Sequence, residues 1–273
     1  MFIPISDRDL TRRSFPVVNI SIIAVCAIVF FYELATGNNG VFFYRFGLIP
    51  YELTHGIAAK FICGPYMYFE SPPRFLSPTC VDIASPIPTW ATMFTAMFIH
   101  GGWMHFLGNM VFLWVFGDNI EDRFGHLGYL IFYLASGAGA FALQIAIDTN
   151  SVTPTIGASG AIAGVLGAYV LLYPYSRVDT LVFIIIVRIP AVLLLGFWFF
   201  LQFFNGLGDL GPSAQTSGVA HWAHVGGFFV GVVVVVVYKL IKGERIWPGD
   251  GGRGGGFGGP PGVKYWRGRP LDY

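Results

Sequence analysis

Charge is what this chain of 273 residues has least of: Asp, Glu, Lys and Arg together make up 11% of it, against 55% hydrophobic residues. A soluble domain carries about a quarter charged residues, so the shortage excludes a water-soluble body and indicates a membrane protein. The formal net charge of +1 offers nothing to a polyanion, and no nucleic-acid partner is expected. Cysteine is scarce as well, at three residues. Cys26 lies in the first hydrophobic run, where it acts as a small apolar residue. Cys63 and Cys80 share one loop without metal-ligand spacing, and can pair if that loop faces an oxidising compartment. No small-x-small cleavage site closes the first hydrophobic run, so it is expected to be a signal anchor that is retained.

What is present is a series of apolar segments. Residues 1–16 are polar and expected on the cytoplasmic side. Val17 to about Ala35 is long enough to span a bilayer. Residues 37–100 form a long first outer loop, too hydrophobic for a linker (Phe42-Phe43-Tyr44, Tyr66-Met67-Tyr68-Phe69), and short interfacial helices are expected there. Further spans are expected from Gly102 to Gly117, Leu127 to Ile147, Ser159 to Pro174, Pro190 to Phe204 and His221 to Leu240. The apolar decapeptide Val178–Val187 is either interfacial or an extension of the fifth helix. A Gly-rich loop, 205–218, is a candidate lid. The tail, 242–273, is rich in Gly, Pro and Arg and expected to be disordered and cytoplasmic.

With six spans and an inside N-terminus, only Arg45, Lys60 and Arg74 of the 16 basic residues fall outside. That asymmetry predicts an N-in, C-in, all-α polytopic bundle. It also puts the heads of spans two, four and six on the outer side. Those heads carry the polar side chains His100, His105, Asn109, Ser159, His221 and His224.

Serine needs an adjacent base to become a nucleophile, and histidine is the usual one. Gly160 follows Ser159. Gly227 and Gly231 follow His224 at i+3 and i+7. Glycines on one face let two helix backbones approach closely, so spans four and six can bring Ser159 and His224 together. His105 and Asn109 are four apart on one helix face and can donate hydrogen bonds to an oxyanion, beside the amide at the head of the Ser159 helix. No Asp or Glu lies on spans four or six, so the expected arrangement is a Ser–His dyad. From Ser159 to Tyr173 the helix rises about 22 Å at 1.5 Å per residue, less than the hydrocarbon core of about 30 Å. Ser159 is therefore expected several Å below the outer surface, in a wet cavity.

Three motifs, His100-Gly-Gly-Trp-Met-His105-Phe-Leu-Gly-Asn109, Gly157-Ala158-Ser159-Gly160 and Ala223-His224 with Gly227 and Gly231, fall in this order on the second, fourth and sixth spans. The chain resembles the rhomboid intramembrane serine proteases across roughly residues 17–241. The resemblance implies a six-transmembrane-helix rhomboid-like bundle. It implies Ser159 as nucleophile, His224 as general base, and His105, Asn109 and the Ser159 amide as oxyanion hole, without cofactor or metal. His100 matches a supporting histidine and Glu121 a structural carboxylate. The implied function is an intramembrane serine endopeptidase, with transmembrane proteins as substrates and the lipid bilayer as surroundings. Two positions depart from the family pattern. Ala91 follows Trp90 where many members have Arg, and Ala163 stands where some members stack an aromatic on the base.

Other readings are a metalloprotease, a non-catalytic client binder of the same fold, and a transporter. The first lacks a His-Glu-x-x-His pattern. The second does not explain an intact serine and histidine. The third calls for intramembrane charges or inverted repeats. His221 competes with His224 for the role of base, but the glycine register belongs to His224. The absence of an organellar presequence points to a bacterial inner membrane, with the site opening outward.

Overall fold

The computed structural model describes residues 2–7, 10, 13–37, 39–63, 66–69, 80–210, 218–247, 265–266 and 269–270. The chain is mostly helical. The first strand and helix are β1 (Phe2–Ser6) and α1 (Val17–Thr36), followed by the short helices α2 (Asn39–Phe46) and α3 (Pro50–His55). Strands β2 (Phe61–Cys63), β3 (Tyr66–Tyr68) and β4 (Cys80–Asp82) precede the short helix α4 (Thr92–Thr95). Next come α5 (Trp103–Phe112), a π-helical turn (Leu113–Gly117), α6 (Asp118–Phe124), α7 (His126–Ile147) and α8 (Ser159–Leu172). A hairpin of β5 (Arg177–Val182) and β6 (Ile185–Pro190) leads into α9 (Ala191–Asp209) and α10 (His221–Lys242). Two-residue strands β7 (Tyr265–Trp266) and β8 (Arg269–Pro270) pair in the tail; most of that tail lies outside the described residues.

Four helices, α1, α7, α9 and α10, are long and apolar enough to cross a membrane, and α8 is a shorter apolar helix of 14 residues. The π-helical turn joins α5 to α6, so the charged residues Asp118, Glu121 and Asp122 lie inside a helix rather than ending one. A π turn leaves a carbonyl without its usual intrahelical partner, and Asn19 Nδ2 donates to Leu113 O at 2.9 Å. The Tyr129 hydroxyl donates to Asn19 Oδ1 at 2.8 Å. Gly117 is required there: a Cβ would fall 2.1 Å from Asn19 Oδ1 and 2.6 Å from the Tyr129 hydroxyl. Glu121, fully buried, accepts from the amides of Val18 (2.9 Å) and Asn19 (2.7 Å). It satisfies two of the free N–H groups that open α1, a role that matches the structural carboxylate expected at this position.

Helix α8 is the axis of the bundle. Every residue from Gly160 to Tyr169 is buried, so it is covered on all sides by α7, α10 and their neighbours. Glycines of α10 explain how closely that helix approaches it. A Cβ on Gly227 would sit 1.9 Å from Gly160 O, and one on Gly231 would sit 2.0 Å from Gly164 O. Neither gap admits a side chain, so α8 and α10 touch backbone to backbone.

Two features correct the all-α expectation. Residues 178–187 do not extend α9. They belong to the β5–β6 hairpin, and β1 adds to it as a third antiparallel strand, with Phe2 opposite Val182 and Ile3 opposite Leu181. The backbone of an apolar segment outside a helix must find partners elsewhere, and here it finds them in residues 2–6. Between α3 and α4, β2 pairs with both β3 and β4. Cys63 lies opposite Cys80 and is bonded to it, while Cys26 is a buried free thiol. Alkylation of denatured protein from an oxidising compartment is therefore expected to modify one thiol without reductant and all three with it. Three modified thiols in both cases would contradict the pairing. The segment 205–218 is not wholly a loop, because α9 continues to Asp209; residues 211–217 lie outside the described part.

Candidate active site

The loop before α8 is fixed from both sides. Leu48 and Thr155 exchange backbone hydrogen bonds at 3.0 and 2.7 Å, and the Gly157 amide donates to Ala96 O at 2.8 Å. Gly157 has φ +123°, a conformation L side chains rarely adopt. A Cβ there would lie 2.6 Å from His105 Nε2 and 3.5 Å from Ser159 Oγ. Glycine is needed for conformation and space alike, and His105 and Ser159 are neighbours across it.

Ser159 is the first residue of α8, and its amide has no acceptor within the helix. Its Oγ lies 2.8 Å from His224 Nε2. The close crossing of α8 and α10, made possible by Gly227 and Gly231, sets this distance, while Gly160 makes room for Ala140 of α7, 2.7 Å from where its Cβ would lie. His224 is 8% exposed, whereas Ser159 and His105 are each only partly buried. Asn109, one turn after His105 on α5, is 7% exposed, and its Nδ2 is buried without a hydrogen-bond partner. A buried amide N–H left unpaired in a polar cluster is a donor in want of an acceptor. The His105 ring lies edge-on to His100, with centroids 5.3 Å apart, and its Nδ1 accepts from the Gly101 amide at 3.3 Å. His100 in turn stands edge-on to Phe106 at 5.5 Å; it props the His105 ring from behind.

His221 is elsewhere. Its Nδ1 is 2.7 Å from Asp209 Oδ2 at the end of α9, and its ring is 6.5 Å from that of His224. The structure thus brings together Ser159, His224 and His105, with His100 beside His105 and Asn109 one turn further along α5, and engages His221 in a separate pair.

Two residues escape sequence reasoning. Gln202 of α9 places Oε1 2.7 Å from His224 Nδ1, and Trp198, one turn earlier, lies against the same imidazole with centroids 5.7 Å apart. A signal for Gln202 exists: it is the one carboxamide in the apolar run 191–204, and polar groups at such positions are costly unless paired. On α7, Gln144 similarly accepts from the Ala223 amide at 3.2 Å, beside the base.

The rhomboid domain model matches residues 88–240, more than half of the chain. The chain belongs to the rhomboid family. Among its relatives, Rhomboid-like protein 11, chloroplastic, of Arabidopsis thaliana is 32% identical over 158 residues, covering 54% of this chain and 52% of the relative. RHOMBOID-like protein 6, mitochondrial, of the same plant is 30% identical over 141 residues, covering 51% of this chain and 40% of the relative. Rhomboid protease GluP of Bacillus subtilis (strain 168) is 29% identical over 163 residues, covering 58% of this chain and 28% of the relative. The chain thus spans about half or less of the length of these relatives. With apolar helices long enough to cross a bilayer, this rhomboid is an integral membrane protein. Two of these relatives carry organellar names, so the comparisons lend no support to a bacterial inner membrane over an organellar one.

Proposed function

We propose that this rhomboid is an intramembrane serine endopeptidase that hydrolyses peptide bonds in or next to transmembrane segments of other proteins. The observation that carries the reading is the 2.8 Å approach of Ser159 Oγ to His224 Nε2; the unpaired buried amide of Asn109, one turn after His105, supports it. Ser159 Oγ attacks the scissile carbonyl carbon as its proton passes to His224 Nε2. The resulting oxyanion is met by Asn109 Nδ2, His105 Nε2 and the Ser159 amide. Collapse breaks the C–N bond, and the leaving amine takes the proton from His224. The acyl group remains as an ester on Ser159. Water, deprotonated by the same imidazole, then attacks the ester and restores the serine. His100, Gly157, Gly160, Gly227 and Gly231 set the geometry and take no part in proton transfer.

The same reading makes the bundle a six-span, N-in and C-in assembly, with α5, the π turn and α6 as its second span. The 14 residues of α8 rise about 21 Å, which leaves Ser159 short of a hydrocarbon surface about 30 Å from the other side. The site then opens to the outer face, where hydrolytic water enters. Substrates are helices that unwind readily near that face, since an intact helix hides its carbonyls in hydrogen bonds.

The test is cleavage of a reporter with one transmembrane segment, mixed with the purified full chain in proteoliposomes. A Ser159-dependent fragment is expected; no fragment from reporters with small residues and helix breakers near the outer face would contradict the reading. In the same assay, Asn109→Ala is expected to lower kcat by about 10²–10³-fold, the scale of one oxyanion donor, with KM little changed. An unchanged kcat would remove Asn109 from the oxyanion hole.

A further inference from the structure

This inference rests on the Ser159–His224 reading and concerns what aligns the base. An imidazole that takes a proton at Nε2 must already carry one on Nδ1, and the partner of Nδ1 decides which tautomer is present. The carbonyl oxygen of Gln202 faces Nδ1 at 2.7 Å while Nε2 faces Ser159 Oγ at 2.8 Å. Trp198 and Gln202 are four residues apart and share one face of α9. The tryptophan ring, tilted by 39° to the imidazole, limits how far that imidazole can swing. On α8 the position one turn after the serine offers no such support. Ala163 is fully buried in the helix crossing, 3.3 Å from where a Cβ on Gly227 would lie, and its methyl offers no ring to stack on the imidazole.

We propose that Gln202 is the positioning residue of the base. It accepts the Nδ1–H of His224 and so holds the tautomer whose Nε2 lone pair points at Ser159, while Trp198 holds the plane of the ring. The site is then completed from α9, by a neutral acceptor, in a chain with no carboxylate on α8 or α10. An uncharged carboxamide suits a buried setting, because an ionised partner there carries a larger desolvation cost.

The test uses the full chain in detergent micelles and a fluorophosphonate probe, with the inactivation rate and the probe affinity measured separately. Gln202→Met keeps the length of the side chain and removes the acceptor. It is expected to lower the inactivation rate about 10²-fold, between an outer-shell partner and a triad carboxylate in scale, with probe affinity unchanged. Gln202→Glu restores an acceptor and is expected to recover the rate to within about tenfold of wild type. A residue that only fills space would make Gln202→Met the milder of the two, and that order would overturn the proposal, as would a wild-type rate in folded Gln202→Met. Wild-type protein with ¹⁵N-labelled histidine gives a reading that needs no variant: the proton of His224 is expected on Nδ1, and its presence on Nε2 would overturn the assignment. Ser159-dependent labelling of the wild type runs alongside. Its loss would bring down the protease reading and this inference together, whereas its persistence with an unaffected Gln202→Met brings down the inference alone.

Discussion

Ser159→Ala is expected to abolish cleavage of a transmembrane reporter while leaving the protein folded and inserted. Removing Oγ takes away the one atom that can form the acyl bond, and the loss should be about 10⁶-fold, the scale for removing the nucleophile of a Ser–His site. Stability should barely change. The hydroxyl makes a single side-chain hydrogen bond, to His224, worth about 1 kcal/mol net. Alanine fits the half-buried position without strain, and the glycine contacts that seat α8 against α10 are untouched. Thermal unfolding within a few degrees of wild type, combined with no detectable fragment, is the expected pair of results. Full activity in this variant would end the serine mechanism.

His224→Ala is expected to match that loss, and His221→Ala to keep substantial turnover. The two histidines sit three residues apart on α10, and the fold gives them different work. His224 Nε2 faces Ser159, whereas His221 Nδ1 faces Asp209 at 2.7 Å and ties the end of α9 to the start of α10. Trp222 reinforces that tie through its Nε1, which donates to Gly206 O at 3.0 Å. His221→Ala therefore costs a partly buried hydrogen-bonded contact with Asp209 and loosens a helix junction, an effect on stability more than on chemistry. Equal and complete loss of cleavage in a folded His221→Ala protein would mean that the base has been misassigned.

The long elements were legible because lipid imposes a simple pattern. A run of about 20 apolar residues has few alternatives to a helix, and α1, α7 and α10 begin within a residue of where the hydropathy puts them. The glycines after Ser159 and His224 also carried their meaning openly, since close helix crossing is what they permit. The sheet of β1, β5 and β6 was not legible. An apolar decapeptide ending at Arg188 and Pro190 suits helix or strand, and what decides is pairing with residues 2–6, which lie some 175 positions away in the chain. The end of the second helix was hidden for a related reason. Asp118, Glu121 and Asp122 suggest an end in water, yet Glu121 is consumed by the start of α1, so the helix continues through them. Gln202 carries no signal of its particular role in the sequence, because one carboxamide among phenylalanines has no motif of its own; the packing of α9 on α10 reveals that it faces Nδ1 of the base.

The most direct measurement is fluorophosphonate labelling of the detergent-solubilised full chain, with wild type, Ser159→Ala and His224→Ala side by side. Labelling of the wild type alone, with all three proteins folded, is the predicted result: it requires a serine nucleophile activated by that histidine. A folded wild-type protein that takes up no label would contradict the account and favour a rhomboid that holds client helices without cutting them.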